Sequence, residues 1–210
     1  MLILASASPR RRELLAQAGL HFTVEVSEID ETPLPHEAAA AYVQRIAVEK
    51  AQTVCGLHAN DPSSDEGIVV LAADTAVVLP GEVILGKPRD QADAIRMLSL
   101  LSGRTHAVLT GIAAISVGPY GGSGKIISDV EITQVTFNLM TQSEIHAYVT
   151  TGEPMDKAGA YAIQGYAARW IPRIEGDYFN VVGLPICRVV ALLAEVGQAS
   201  RAGGLVSATK

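Results

Sequence analysis

The sequence predicts a protein of the α/β class. Strand-like and helix-like patterns alternate along its 210 residues, of which 49% are hydrophobic and 18% are charged. These proportions are typical of a compact globular fold. A chain of this length can bury a large core and falls near the top of the usual range for one domain. We therefore expect a single domain of two lobes over residues 1–195 and a flexible C-terminal tail over residues 196–210.

The first half of the chain has five segments with the periodicity or the apolar run of regular structure. They are predicted strands at residues 1–5, 21–26 and 68–73 and predicted helices at residues 10–18 and 36–54. Gly19 suits the end of the first helix, and Pro33 and Pro35 indicate a loop before the second. The third strand is apolar without interruption, which is typical of a strand covered on both faces.

The second half continues the alternation. Asp90 suits the N-cap of a helix that runs to about Leu101, and Thr141 forms a capping box with Glu144 three residues later. Residues 106–117 and 126–139 have the pattern of two strands in a long hairpin. A mostly apolar helix then ends the predicted domain.

The tip of that hairpin, residues 118–124, imitates a phosphate-binding loop. Its glycines lead to Gly124 and Lys125, as they would in such a loop. Pro119, however, stands where the first glycine is required, and Ile126 replaces the hydroxyl residue that would bind magnesium. We therefore predict a flexible hairpin tip there and no phosphate site.

Composition and charge argue against several classes of function. A net charge of −6 and an aromatic content of 5% do not suit a general nucleic-acid binder, which needs a broad basic surface and stacking area. Cys55 and Cys187 lie far apart without a CxxC pairing, so neither a disulfide framework nor a zinc site is indicated. No apolar run approaches membrane-spanning length. We expect a cytoplasmic protein with no nucleic-acid partner and no membrane partner.

A basic turn near the N-terminus is the strongest local signal. The first predicted strand ends in small hydroxyl residues, after which Ser8 suits a helix N-cap and Pro9 the first helical turn. Arg10, Arg11 and Arg12 follow, although cations are unfavourable beside the positive end of a helix dipole. A phosphate bound at the free backbone N–H groups would explain them. A solvated basic turn is the alternative.

A second candidate site surrounds Asp74, which follows the apolar third strand. Ligands of open α/β sheets bind in the crevice outside the carboxyl ends of strands, although a simple turn or cap aspartate is the alternative. Lys87 precedes Pro88 in a restricted backbone conformation that could aim its ammonium at the same crevice. Glu31 and Lys50 add a carboxylate for a divalent ion and a cation for phosphates. Sequence spacing alone does not show that these groups converge.

A third candidate site lies in residues 152–165, where small residues surround charged and amide side chains. Small residues suit a backbone that approaches a ligand closely. Gln164 could read the edge of a base, because an amide offers a donor and an acceptor side by side. The alternative is a glycine-rich turn before an ordinary strand.

Five motifs, taken together and in order, resemble those of the Maf family of nucleoside triphosphate pyrophosphatases. They are SASPRR at residues 6–11, AADT at 72–75, GKP at 86–88, GEPMDKAGAYAIQG at 152–165 and NVVGLP at 180–185. The resemblance extends over nearly the whole chain, from Leu2 to about Leu193. It implies a mixed, curved central sheet with flanking helices and two lobes around a cleft, related to the inosine triphosphate pyrophosphatases.

The same resemblance implies an activity. The form of the fourth motif is more similar to the branch that prefers dTTP and UTP than to the branch that acts on 7-methyl-GTP. Modified pyrimidine nucleotides are further candidate substrates. The expected reaction is metal-dependent hydrolysis to the nucleoside monophosphate and pyrophosphate, with Mg²⁺ or Mn²⁺. A homodimer is the implied assembly. The alternative is a regulator of septum formation that senses nucleotides without turnover.

The resemblance also implies which residues form the site, and Glu31 and Lys50 match the family's pocket although they lie outside the five motifs. The implied substrate-binding residues are Ser8, Arg11, Lys50, Thr75, Lys87 and Gln164, of which Arg11, Thr75 and Gln164 correspond to positions linked to substrate choice. Asp74 corresponds to the proton acceptor, and Glu31 with Asp74 would bind the metal. Whether Asp74 acts as base or as metal ligand is left open. The sequence departs from the family pattern at residues 118–124, Arg12, Asp177 and Phe179, outside the core motifs.

Overall fold

The computed structural model describes residues 1–58, 67–117 and 123–203. In these ranges the strands are β1 (Leu2–Leu4), β2 (Thr23–Val24), β3 (Ile68–Leu79), β4 (Val83–Leu85), β5 (Thr105–Val117), β6 (Ser123–Thr136) and β7 (Arg173–Glu175). The helices are α1 (Pro9–Gln17), α2 (Ala39–His58), α3 (Gln91–Leu101), α4 (Gln142–Thr150), α5 (Tyr178–Val182) and α6 (Ile186–Gly203). Three 3-10 helices span Glu153–Asp156, Ala158–Ala160 and Tyr166–Trp170.

One mixed sheet organises the described residues. Its strands follow the order β2-β1-β3-β5-β6-β7, and β4 pairs with β3 off this path. β1 runs parallel to β2 and to β3, whereas the pairs of β3 with β4, β3 with β5, β5 with β6 and β6 with β7 are antiparallel. The predicted α/β class with a mixed central sheet is therefore confirmed.

The central strand β3 is longer than the sequence predicts. It continues through Asp74 and Thr75 to Leu79, because it pairs with β5 along almost its whole length. Asp74 therefore lies within a strand and not in a crevice after its end, which corrects the prediction. On the other side of β3, β1 pairs only as far as Leu71 and β4 begins to pair at Val77. Within the described residues, this gap in the ladder leaves room for a cleft beside Asp74.

Other predicted boundaries shift by a few residues. α2 begins at Ala39 and not at residue 36, because His36 has a φ of +61°, far from the helical range. The strand predicted at 21–26 keeps only two residues, Thr23 and Val24. The tail boundary predicted at residue 196 falls inside α6, where Val196 is fully buried.

Both predicted helix caps are confirmed. Asp90 accepts a hydrogen bond from the Asp93 backbone N–H at 2.8 Å. Thr141 and Glu144 form the reciprocal bonds of a capping box at the start of α4. Each cap satisfies backbone N–H groups that the first helical turn leaves without partners, a contribution of about 1 kcal/mol.

Helices cover both faces of the sheet. α1 and α6 pack against one set of alternating strand residues, including Leu71, and α2 packs against the other set, including Val70. α2 approaches β5 closely at Gly111, where a Cβ atom would lie 2.2 Å from the Val43 carbonyl oxygen. α3 and α4 pack around a separate core that includes Phe137. The cleft is lined by residues of α1 and α2 and by β3 at Asp74, Thr75 and Val77.

Within the described ranges, no helix is both long enough and apolar enough to span a bilayer. Ser123 and Gly124, predicted in the hairpin tip, belong to β6, whereas residues 118–122 of that tip lie outside the described residues, so a flexible tip stays a prediction there. The same holds for residues 204–210 of the tail.

Candidate functional site

One cavity of about 1090 Å³ opens beside the gap in the β3 ladder. This volume is at the upper end of the range for ligand pockets. All the residues that the sequence predicts for the site line this cavity: Ser8, Arg11, Glu31, Lys50, Asp74, Thr75, Lys87 and Gln164. The three candidate sites are thus parts of one site, which spacing alone did not show.

Lys50 joins two carboxylates in the cavity wall. Its Nζ donates to Asp74 Oδ1 at 2.8 Å and lies 2.7 Å from Glu31 Oε1. The Lys50 and Asp74 side chains are each 11% exposed, whereas the Glu31 side chain is 50% exposed. Water screens the attraction to Glu31 more strongly, so Glu31 is the member that a ligand can move most easily. In the described part of the chain no donor pairs with Asp74 Oδ2, which leaves this oxygen for water or ligand.

The loop that carries Glu31 is tied to α2. Tyr42 Oη donates to the Glu31 carbonyl oxygen at 3.0 Å, and Arg45 Nη2 donates to the Thr32 carbonyl oxygen at 3.2 Å. Arg45 also binds both carboxylate oxygens of Glu37, which lowers the pKa of Glu37 to about 2. Burial, and then nearby carboxylates, raise the pKa of Tyr42 to about 12, so its hydroxyl remains a donor at neutral pH.

Arg11 points into the protein, where three hydrogen bonds hold it. Its Nε donates to the Gly183 carbonyl oxygen at 2.8 Å, Nη1 to Ser6 Oγ at 3.2 Å and Nη2 to Thr75 Oγ1 at 3.0 Å. Burial lowers the pKa of Arg11, and the Asp74 carboxylate opposes that shift. A guanidinium has five N–H donors, so two of them remain for a ligand.

The neighbours of Arg11 have different surroundings. Arg12 is exposed, and Arg10 Nη1 lies 3.6 Å from Asp156 Oδ2. Ser8 occupies the N-cap position of α1, as predicted, but its side chain makes no cap hydrogen bond. Its backbone N–H instead donates to Ser6 Oγ at 3.2 Å. The basic turn therefore directs one arginine inward, with Ser8 beside it on the cavity wall.

Thr75 is the junction of a hydrogen-bond network behind the cavity. Thr75 Oγ1 lies 2.9 Å from Thr110 Oγ1, its register partner on β5. Thr110 Oγ1 lies 3.2 Å from the Asn180 carbonyl oxygen. Asn180 Nδ2 donates to the Val108 carbonyl oxygen and to Thr133 Oγ1, both at 3.0 Å. Because Thr110, Thr133 and Asn180 are fully buried, this network is shielded from water.

Two exposed side chains, Lys87 and Gln164, extend into the cavity from linked segments. The Gly159 N–H donates to the Gly86 carbonyl oxygen at 3.0 Å and so joins the loop of Lys87 to the segment that leads to Gln164. Gly159 has a φ of +67°, and a Cβ there would lie 2.8 Å from a Val77 methyl group. Only glycine permits both this conformation and this close approach to β3.

The fold and the site together define a class of protein. Arg11, Lys50 and Lys87 give one cleft three cations, the donors that bind phosphate groups. A buried carboxylate, Asp74, stands among them with one oxygen uncommitted, as a group that orients or deprotonates water would. This is an α/β protein with a cleft suited to hydrolysis of a phosphate-containing ligand.

The chain belongs to the Maf family, because the family model described as "Maf-like protein" matches residues 1–196. It is similar to proteins named dTTP/UTP pyrophosphatase from three bacteria. They are those of Moorella thermoacetica (52% identical over 93% of this chain and 95% of that protein), Symbiobacterium thermophilum (48%, 97% and 97%) and Myxococcus xanthus (50%, 94% and 93%). The predicted family is confirmed.

A solved structure titled "The structure of the Staphylococcus aureus Ham1 protein" also aligns with this chain. It covers 92% of this chain and 98% of its own, with 15% sequence identity and a TM-score of 0.44. A likeness of this degree carries no argument about function.

Sequence reasoning missed the residues that support the site. Tyr42 precedes Lys50 by eight residues on α2, a spacing that places both on one helix face and could have revealed it. Thr110 gave no comparable signal, and Asn180 begins the motif at residues 180–185, which does not indicate its contacts. Their roles depend on the register of β5 against β3 and on the path of the chain before α6, neither of which spacing reveals.

Proposed function

We propose that this chain is a nucleoside triphosphate pyrophosphatase that hydrolyses dTTP and UTP to the nucleoside monophosphate and pyrophosphate. The observation that carries the proposal is the convergence of Asp74, Lys50 and Glu31 with the phosphate-binding cations in one cleft. The names of relatives about half identical over nearly their whole length support the choice of nucleotides.

The uncommitted oxygen of Asp74 gives the reaction its base. In this proposal Asp74 Oδ2 orients or deprotonates a water molecule that attacks the α phosphorus, and pyrophosphate is the leaving group. Lys50 holds Asp74 through Oδ1 and so fixes the direction of Oδ2. Lys87, Arg11 and the Ser8 hydroxyl are placed in the cavity wall to bind the phosphate oxygens on which negative charge develops.

A divalent metal ion is part of the proposal, and the residues present fit one. Glu31 and Asp74 each hold a carboxylate oxygen against the same ammonium of Lys50, so the two carboxylates lie close enough together to bind one divalent ion through oxygens that Lys50 leaves free. Mg²⁺ and Mn²⁺ prefer oxygen ligands, and Mg²⁺ commonly uses one or two carboxylates together with substrate phosphates. Glu31 and Asp74 would hold the ion, which when bound supplies neutralisation of phosphate charge.

Base selection is assigned to Gln164 and Thr75. Both line the cavity, and together they can offer donors and acceptors to the O4 and N3 edge of a pyrimidine. A purine would leave these polar groups without partners, which costs more free energy of binding than the loss of an apolar contact. We assign the protein to the cytoplasm, with a second copy of the chain as its partner and no nucleic acid or membrane.

The test is product analysis on a panel of dTTP, UTP, CTP, GTP and 7-methyl-GTP with Mg²⁺ or Mn²⁺. We expect pyrophosphate, and not phosphate, chiefly from dTTP and UTP. Binding of nucleotide without any turnover would favour the nucleotide-sensing alternative instead. Metal titration of Asp74→Asn separates the two roles of Asp74, since loss of a metal ligand raises the metal concentration needed for nucleotide binding, whereas loss of a base does not.

A further inference from the structure

The hydroxyl of Thr75 has a restricted set of partners. A hydroxyl group donates one hydrogen bond and accepts two. Thr75 Oγ1 lies 3.0 Å from Arg11 Nη2, 2.9 Å from Thr110 Oγ1 and 3.5 Å from the Gly183 carbonyl oxygen. Arg11 can only donate and the Gly183 carbonyl can only accept. What Thr75 can offer to a ligand therefore depends on the direction of its bond with Thr110.

The surroundings of Thr110 favour one direction. If Thr110 donates to the Asn180 carbonyl oxygen, Thr75 donates to Thr110, and the two bonds have lengths of 2.9 and 3.2 Å. In the reverse arrangement the Thr75 proton is left with the Gly183 carbonyl oxygen at 3.5 Å. Hydrogen bonds between oxygen atoms are strongest near about 2.7–2.8 Å, so the first arrangement is preferred. It leaves Thr75 with one free lone pair and no free proton.

The positions of these atoms are fixed by the fold. Thr75 and Thr110 are register partners in the antiparallel pair of β3 and β5, which holds their side chains together. Asn180 is anchored by its side-chain bonds to Val108 and Thr133, and its carbonyl oxygen stays behind Thr110. Thr110 and Asn180 are fully buried, so water does not compete for the bond between Thr110 and the Asn180 carbonyl oxygen.

We propose that Thr110 is a positioning residue for base selection. By taking the Thr75 proton, Thr110 makes Thr75 an acceptor toward the cleft, which selects pyrimidines that carry N–H at N3. Uracil and thymine have this donor, whereas N3 of cytosine is itself an acceptor and would face the Thr75 lone pair. The inference rests on the proposed function and deepens it, because it names the atom by which this site distinguishes UTP from CTP.

Thr110→Val is the direct test, because valine has nearly the shape of threonine and replaces the hydroxyl with a methyl group that cannot form hydrogen bonds. The Thr75 proton is then free to turn toward the cleft and to donate to N3 of cytosine. We expect the ratio of kcat/KM for UTP to that for CTP to fall by about tenfold, through a loss for UTP and a gain for CTP. Thr110→Ser keeps the relay and should keep the ratio.

Thr133→Val is the matched control. Thr133 is as buried as Thr110 and also bonds to Asn180, but it does not contact Thr75. Both valine variants should lose stability in thermal unfolding, and only Thr110→Val should change the ratio. In a double-mutant cycle, Thr110→Val added to Thr75→Val should change the ratio no further. Equal losses for UTP and CTP in Thr110→Val, or the same change of ratio in Thr133→Val, would overturn the proposal.

Two further measurements keep the test independent of turnover and of variant folding. Dissociation constants for UTP and CTP should show the same change of ratio in Thr110→Val, even if hydrolysis is not observed. Should Thr110→Val not fold, the wild-type protein is assayed with 3-methyl-UTP, which lacks the N3 donor, and with 5-methyl-UTP, which keeps it. We expect about tenfold weaker binding of 3-methyl-UTP alone. Equal binding of the two methylated nucleotides would contradict the assignment.

Discussion

The two walls of the cleft are organised by different forces. On one wall, which we name the ion-pair wall, Lys50 holds Asp74 and Glu31 by charge, and Glu31 is half exposed. On the other wall, the hydrogen-bond wall, Arg11 and Thr75 are fixed by hydrogen bonds to backbone and hydroxyl groups within the protein. The first wall can exchange its partners when a ligand arrives. The second is set before the ligand binds.

This difference indicates a division of labour. A reaction that creates charge needs groups that can change partners, and ion pairs beside solvent permit this at a modest cost. Recognition of a base needs donors and acceptors at fixed positions, which a buried network provides because rearrangement would leave polar groups without partners. Substitutions in the ion-pair wall should therefore affect mainly turnover, and those in the hydrogen-bond wall mainly stability and selectivity. Arg11 should affect both, because its two free N–H groups are proposed to bind phosphate oxygens.

The largest effect is expected for Asp74→Asn. The amide cannot accept the proton of the attacking water, so kcat for UTP should fall on the order of 10³-fold. The dissociation constant for UTP, measured by titration calorimetry, should change by only a few fold. Asp93→Asn is the control, since Asp93 is a buried aspartate paired with Arg96 outside the cavity. A fall in kcat equal to that of the control would assign Asp74 a structural role only.

Arg11→Ala should have the next largest effect, on stability. It removes three hydrogen bonds of a half-buried guanidinium and leaves the Gly183 carbonyl oxygen without this donor. We expect a loss of about 2–3 kcal/mol in the free energy of unfolding, measured with urea. Arg12→Ala changes an exposed neighbour and should leave stability within about 0.5 kcal/mol of wild type. Equal effects of the two substitutions would remove Arg11 from the hydrogen-bond wall.

His106 predicts a pH dependence of stability. It is buried beside Tyr161, a residue of the cavity wall, and burial lowers the pKa of His106 to about 4. Between pH 6.5 and 4 the unfolded chain binds a proton at this residue that the folded protein does not, so stability falls as pH falls through this window. From pH 7 to pH 5 the loss should be about 2 kcal/mol. In His106→Gln the difference between the two pH values should shrink by that amount, and an unchanged difference would place the proton uptake elsewhere.

The smallest effect is expected for Tyr42→Phe. The change removes the hydrogen bond to the Glu31 carbonyl oxygen but keeps the ring, so the loop of Glu31 gains freedom. We expect the concentration of Mn²⁺ at half-maximal activity to rise by about fivefold, because a bond of this kind contributes about 1 kcal/mol. Tyr178→Phe, at an exposed position outside the cavity, serves as the control. A lower kcat at saturating Mn²⁺ with an unchanged metal requirement would contradict the positioning role.

Much of the fold could be predicted from local signals. Local signals depend only on neighbouring residues. They correctly predicted the caps at Asp90 and Thr141 and the apolar run that begins β3. The extension of β3 through Asp74 could not be predicted in this way. Aspartate is a poor strand residue in isolation, and pairing with β5 over a long register overrides that preference.

The candidate site shows the same limit. The motifs led to most of the predicted residues of the cavity wall, since each motif is a local pattern, whereas Glu31 and Lys50 lie outside the five motifs. Thr110 and Asn180 support the site from distant segments, and their partners depend on strand register and on loop paths. Without the family resemblance, the residues alone did not show which of the three arginines points inward, because Arg11 is selected by its contacts with Gly183 and Thr75.

The central claim is that this cleft hydrolyses the bond between the α and β phosphates by attack of water on the α phosphorus. Hydrolysis of UTP in water enriched in ¹⁸O, followed by mass spectrometry of both products, tests it most directly. The account predicts one ¹⁸O atom in UMP and none in the pyrophosphate, with the rate of formation of both products reduced on the order of 10³-fold in Asp74→Asn. Label in the pyrophosphate, or release of UDP and labelled phosphate, would contradict it.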